Sequence, residues 1–200
     1  MRRKIVIEHL EECYGPWLLY EYINASMLVG RENIIYSNIR SGRIRRILSR
    51  YGFVLDSSIG SIVKDEDMII LDPSAPKTIE QRDIKYNTYI VIGGILGADP
   101  PLGRTRELLT ERHRGAKARN IGDKQFSIDG AAYVAYMLLN GLDLHDIEYI
   151  DDLTVQSEYS IVKLPYRYPL KNEVPIISKT IKTILSIEGP FSQYWTRKLD

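Results

Sequence analysis

Residues 89–101 read Tyr-Ile-Val-Ile-Gly-Gly-Ile-Leu-Gly-Ala-Asp-Pro-Pro, and the reading of this stretch decides the fold. Its first half is a short β-branched apolar run, the pattern of a strand covered on both faces in a parallel sheet. The run then breaks into Gly93, Gly94 and Gly97, the acid Asp99, and Pro100 and Pro101. Gly93 and Gly94 remove side chains where the strand ends, so backbone groups can approach a ligand closely. The two prolines stiffen the exit and forbid an immediate helix. In open α/β sheets ligands bind outside the carboxyl ends of strands, which is where this loop falls. A tight turn without a ligand is the plainer alternative.

Working outward, the chain alternates strands and helices. Strands are predicted at Lys4–Leu10, Asn33–Ser37, Met68–Leu71, Tyr89–Ile92, Ala116–Ile121 and Ile147–Ile150. Pro16 and Gly30 bracket a helix, since proline suits a helix start and glycine its exit. Ser41 caps a second helix closed by Gly52, and Arg104–Arg112 reads as a short third. Ser127 caps the clearest one, with Ile128, Ala131, Ala132, Ala135, Leu138 and Leu139 as its apolar stripe and Gly141 at its end. Pro165, Pro169 and Pro175 mark an extended region before a last helix, Ile176–Ile187. The alternation predicts an α/β fold, a parallel sheet flanked by helices, in one domain over residues 1–200.

With 200 residues and 44% hydrophobic side chains, the chain can bury a core without disulfides. Net charge is +1, so bulk charge does not announce nucleic acid. Arginines nevertheless cluster at Arg40, Arg43, Arg45, Arg46 and Arg50, and cations again outnumber acids from Arg104 to Lys124. These runs read either as solvated faces or as surfaces for RNA phosphates. Cys13 stands alone, and His9, His113 and His145 lack metal-ligand spacing, so no metal site is expected. No membrane span or signal-peptide core is read, which gives a cytoplasmic expectation. Abundant isoleucine and charge with little glutamine hint at a thermophilic source.

Phosphate motifs are missing. There is no P-loop, and Gly93–Gly97 is not a dinucleotide fingerprint. Two further constellations carry polar chemistry. Arg119–Ser127 (Arg-Asn-Ile-Gly-Asp-Lys-Gln-Phe-Ser) leads into a helix N-terminus, whose N–H groups favour acceptor atoms; an ordinary capped loop is the alternative. Glu8, Glu11 and Glu12 follow the first strand, where they either cover a helix start or recognise a cation.

Taken together, Ile7-Glu8-His9, Leu71-Asp72-Pro73-Ser74-Ala75, Gly93–Pro101, Arg104-Thr-Arg-Glu-Leu108, Ile121-Gly-Asp-Lys-Gln125 and Leu164-Pro-Tyr-Arg-Tyr168 resemble, in order, a family of SPOUT-class S-adenosylmethionine-dependent methyltransferases. That family was first described as predicted RNA methyltransferases, and its fungal branch methylates arginine in a ribosomal protein. The resemblance covers roughly residues 4–170; the tail after Leu170 matches no motif. It implies a trefoil knot in the C-terminal part of the sheet, approximately residues 66–155, an exception to unknotted topology. It implies S-adenosyl-L-methionine as cofactor, held by Leu71, Asp72 and Pro73, by Gly93, Gly94, Ile95, Leu96 and Gly97, and by Ile121, Gly122, Asp123, Lys124 and Gln125, with Ser127 behind. Either a monomer or a homodimer fits the family.

Two acceptors are open, an arginine of a protein and a group on RNA, and they ask for different residues. An arginine guanidinium is protonated in neutral water, with a pKa above ~12, so the site must orient it and remove a proton. Asp99, two residues past Gly97, is the leading carboxylate for that role, with Glu8 and Glu107 next. Glu11, Glu12, Arg104 and Arg106 are expected to contact substrate. An RNA acceptor would instead place Arg104, Arg106 and Arg119 near phosphates. Protein arginine methylation of a ribosomal or other translation protein is the preferred expectation. RNA methylation is the second, and a non-catalytic protein binding cofactor or ribosome the third.

Overall fold

The computed structural model describes residues 3–156, 161–190, 195, 198 and 199. Six strands form one parallel sheet: β1 (Lys4–His9), β2 (Ile34–Ser37), β3 (Phe53–Val54), β4 (Met68–Leu71), β5 (Tyr89–Gly94) and β6 (Lys117–Arg119), in the order β3-β2-β1-β5-β4-β6. Alternate residues turn to opposite faces. Ile5, Ile7, Ile69, Leu71, Ile90 and Ile92 join one apolar cluster, while Val6, Met68, Ile70 and Val91 join another. Hence the near-continuous apolar runs: neither face meets water.

The helices α1 (Pro16–Val29) and α4 (Ile128–Leu139) pack on each other and on the first cluster, with α2 (Gly42–Leu48) beside them. At α1 the N-cap is Gly15, which offers no side-chain bond, and Pro16 opens the first turn. Packing therefore holds this helix. Burying Leu18, Tyr22, Ala25 and Val29 outweighs a missing cap, since each large apolar side chain contributes roughly 1.5–3 kcal/mol and a cap only about 1. At α4 the Ser127 hydroxyl does accept from the Gly130 N–H, at 3.3 Å. The Arg104–Arg112 helix expected from the sequence is split: α3 (Arg104–Leu108) ends where Leu109 turns into the core, and a 3-10 turn follows.

The C-terminal part departs from the expectation of a single sheet. Strands β7 (Tyr149–Gln156), β8 (Ile161–Lys171) and β9 (Val174–Pro175) form a separate antiparallel sheet, with α5 (Lys179–Glu188) packed on it. Pro165 and Pro169 disguised β8, because proline cannot donate to a ladder. It is tolerated here because β9 pairs only with Leu170 and Lys171, leaving the other edge of β8 open at Pro165. Val155, Val162, Leu164 and Tyr168 bury against Ile181 and Leu185 and against Trp17 and Tyr20 of α1. This small sheet is thereby set beside the N-terminal half of α1.

Candidate functional site

The carboxyl ends of β4 and β5, the start of α3 and the loop from β6 to α4 enclose a cleft. Its mostly apolar walls with a few polar groups are of the kind that holds a small-molecule ligand. Of the expected cofactor residues, Leu71, Asp72, Pro73, Gly93, Ile95, Leu96, Gly97, Ile121, Gly122, Lys124 and Gln125 line it, as does Arg104. Segments separated by some fifty positions are thus brought to one wall.

The loop after β5 is pinned through its carbonyls. Arg104 donates to the Leu96 carbonyl, Tyr166 to that of Gly97 at 3.0 Å, and Gln125 to that of Ala98 at 2.9 Å. Glu11 completes the latch. Its Oε1 accepts from the Leu96 N–H at 2.9 Å and from Arg104 Nη2 at 3.1 Å, and its Oε2 from Arg104 Nη1 at 3.3 Å. Asp72 is buried and shapes the neighbouring turn, accepting from the Ser74 N–H at 2.8 Å and the Thr110 hydroxyl at 2.8 Å. Arg167 ties the third loop down: it binds Asp151 through two nitrogens at 2.7 and 3.0 Å and Asp123 at 3.0 Å, and its N–H donates to the Gln125 carbonyl at 2.8 Å.

The contacts show where the structure places the remaining expected residues. Gly94 does not line the cleft; a Cβ there would run into the Tyr22 hydroxyl. Its bareness serves core packing. Glu8 is buried, bonded to the Ser37 hydroxyl and to the Ile59 N–H at 3.0 Å, and does not face the cleft. Glu11 and Arg104, expected to meet substrate, are spent on each other. Ser127 is a helix cap, and Asp123 reaches outward to Arg167. Asp99, Arg106, Glu107 and Glu12 are exposed and outside the lining of the cleft. Arg119, expected near phosphates in the RNA reading, is instead bonded to Asp83 at 2.8 Å through two nitrogens. Those bonds, with Lys117 at 3.1 Å, hold the Asp83 carboxyl far below the usual carboxylate range.

Sequence reasoning missed Glu21. A second cavity adjoins the first and shares Ile95, Leu96, Gly97, Phe126 and Ile128 with it; its polar lining is made by Trp17, Glu21, Ser127 and Tyr166. Glu21 is buried, accepting from Trp17 Nε1 at 2.6 Å and from the Ile128 N–H at 2.8 Å. Burial and the neighbouring Asp129 push its carboxyl up to about 8. A signal was present: Glu21 is the one charged residue in the helix sequence Pro16–Val29. A buried carboxylate between a tryptophan and a tyrosine is a chemically apt receptor for a flat cation.

Comparison with known proteins identifies the family. The family model described as protein arginine N-methyltransferase SFM1-like matches residues 4–188. Protein arginine N-methyltransferase SFM1 of Saccharomyces cerevisiae is 30% identical over 186 residues, covering 85% of this chain and 87% of that protein. Crystal structures of the yeast enzyme superpose with TM-scores of 0.81 at 29% identity. The one complexed with SAH covers 91% of this chain and 94% of that chain, and the one complexed with SAM covers 93% and 91%. A dual-specific Trm10 from Thermococcus kodakaraensis shares the fold, with a TM-score of 0.54 at 14% identity over 72% of this chain and 96% of that one. The parallel sheet and its neighbours are those of SPOUT-type methyltransferases, and the chain belongs to the SFM1-like family of protein arginine N-methyltransferases.

Proposed function

We propose that this chain transfers a methyl group from S-adenosylmethionine to an arginine side chain of a protein, and that the protein is ribosomal. The observation that carries the reading is the junction of two cavities at Ile95–Gly97, one walled by the three strand-end loops and one holding a buried carboxylate.

The cleft at the ends of β4 and β5 fits the cofactor. Its walls combine apolar Leu71, Ile92 and Leu96 with the polar loop 121–125, and its loop is fixed before any ligand arrives. Pro73, Gly93, Ile95, Gly97 and Gln125 would hold the cofactor together with these. When bound, it supplies a methyl group made electrophilic by a sulfonium sulfur. The chain's own contribution is positioning, which can supply about 7–11 kcal/mol of a barrier. The pinned carbonyls of 96–98 fix the wall between donor and acceptor, and Glu21 offers a carboxylate to the guanidinium. Glu21 thereby takes the place expected for Asp99. Asp99, exposed and within electrostatic reach of Tyr166, joins Glu12 and Glu107 as acids that draw a basic segment toward the rim.

The trefoil knot belongs to the same proposal. Its support is the way the connection between β4 and β5 lies over later chain: the Asn120 N–H donates to the Lys77 carbonyl at 2.9 Å, the Ile79 N–H to the Asn120 carbonyl at 3.0 Å, and Gln81 reaches the Leu138 carbonyl at 3.0 Å. An RNA acceptor is the weaker reading, since Arg104 and Arg119 are already paired with acids.

The test is incubation of the chain with methyl-labelled S-adenosylmethionine and dissociated ribosomes. Label recovered as methylarginine in protein is expected. Label confined to RNA, or absent from both fractions, would overturn the reading.

A further inference from the structure

Glu21 and Asp129 meet where α1 crosses the first turn of α4. Glu21 takes the Ile128 N–H, and the next residue, Asp129, takes the Gly130 N–H at 2.9 Å and the Asn24 amide at 2.7 Å. Asn24 lies three positions after Glu21, so one face of α1 serves both acids. Both carboxyls are buried, at 7% and 1% residue exposure. Among the described residues, neither forms an ion pair with lysine, arginine or histidine. Among the described residues, the other titratable groups that sense Glu21 are Tyr22 on α1 and Tyr166 and Tyr168 on β8, none of which brings a positive charge.

Two carboxylates in one buried site do not both ionise readily, because desolvation and mutual repulsion oppose the second charge. We infer that Glu21 and Asp129 hold one proton between them while the pocket is empty, and that an arginine side chain entering it expels that proton to solvent. The inference rests on reading the Glu21 cavity as the acceptor site. Burial raises the carboxyls of both residues, in line with a retained proton near neutral pH.

The device closes the chemistry of the transfer. Entry of the guanidinium replaces a proton with a cation, leaving the Glu21 carboxylate beside it and that of Asp129, which does not line the cavity, behind. As a guanidinium nitrogen forms its bond to the methyl carbon, the carbon–sulfur electron pair stays on sulfur and an N–H proton leaves the nitrogen. Glu21 accepts that proton, which returns the pair to its one-proton state. The methylated guanidinium departs as a cation. The one proton that the overall reaction releases therefore reaches solvent when substrate binds, and the pocket is reset without a separate deprotonation.

Calorimetry of the full chain with bound SAH, which cannot donate a methyl group, tests this without turnover. The probe is Nα-acetyl-L-arginine amide, with the citrulline analogue as its neutral counterpart. Titrations at pH 7 in buffers of different ionisation enthalpy give the number of protons released. About one is expected, falling toward zero at pH ~10, where the pair is already ionised. Asp129→Asn is expected to bind the arginine probe and release fewer protons than wild type at pH 7, since burial, the larger cause of the raised Glu21 carboxyl, remains while the charge of its neighbour is gone. Wild-type binding without proton release overturns the shared proton while leaving the acceptor pocket standing. If Glu21→Gln binds the arginine probe as wild type does, or if citrulline binds equally well, the pocket assignment itself fails.

Discussion

Glu11 and Arg104 lie 93 positions apart, yet they form a two-pronged ion pair whose nearer contact is 3.1 Å, and both also bond to Leu96. One residue comes from the loop that follows the first strand and the other opens α3. Their pairing fixes the wall between the two cavities from both sides. Charge-assisted, part-buried bonds of this kind are worth about 1.5–3 kcal/mol each when one partner is removed.

Arg104→Lys keeps a positive charge and loses the fork. S-adenosylmethionine affinity is expected to fall about tenfold by calorimetry, because the loop must then be ordered at the expense of binding. Unchanged affinity would mean that Tyr166 and Gln125 hold the loop without the latch.

Gly94→Ala is expected to lower the thermal midpoint by several degrees, the scale on which overpacking of about 1–3 kcal/mol acts. Its Cβ would meet the Tyr22 hydroxyl, which is bonded to His9 Nδ1 at 3.0 Å. In the double variant with Tyr22→Phe, part of the loss should return, since the clashing oxygen is gone. A ligand-contacting role would give the opposite pattern: a stable protein, weak cofactor binding and no rescue.

Asp83 controls the acid side of the stability profile. Its carboxyl is depressed by Arg119 first, and Lys117 adds to the effect. The folded state therefore binds this proton less readily than the unfolded chain. The resulting stability is present above the ordinary carboxylate range and is lost progressively as pH falls below that range toward the depressed folded value. Denaturant melts of Asp83→Asn should show a smaller stability loss between pH 5 and pH 3 than wild type. Parallel curves would show that the cluster of Asp83, Lys117 and Arg119 contributes nothing there.

The parallel sheet was legible because burial on both faces leaves a local mark, the β-branched runs at Ile5–Ile7, Met68–Leu71 and Tyr89–Ile92. The cleft was legible through its loops, which carry long ordered motifs. What escaped was set by contacts between distant segments. Nothing near Glu11 announces Arg104, and nothing near Gly94 announces Tyr22. β8 hid behind Pro165, whose cost vanishes only where a strand edge is open, and behind Pro169, whose carbonyl still accepts from the Ile176 N–H at 2.9 Å. Glu21 was visible as a lone acid in an apolar helix, but its meaning depends on Asp129, brought beside it by the crossing of α1 and α4.

That crossing also predicts the alkaline side of the stability profile. Glu21 is pushed up to about 8 by burial and then by Asp129, so the folded chain retains a proton that the unfolded chain loses in the ordinary carboxylate range. The sign is opposite to that of Asp83. Stability from this proton is complete below the ordinary range, and is lost as pH rises toward about 8. Thermal midpoints of the ligand-free chain should therefore fall between pH 5 and pH 9. Glu21→Gln should start less stable, because one amide oxygen must serve both the Trp17 and Ile128 donors. Its midpoint should then change little over the same range. An arginine-bearing ligand should flatten the wild-type curve as well, since its cation takes over the task of the proton. A wild-type midpoint that stays level from pH 5 to pH 9 without ligand would show that both acids are ionised in the empty pocket.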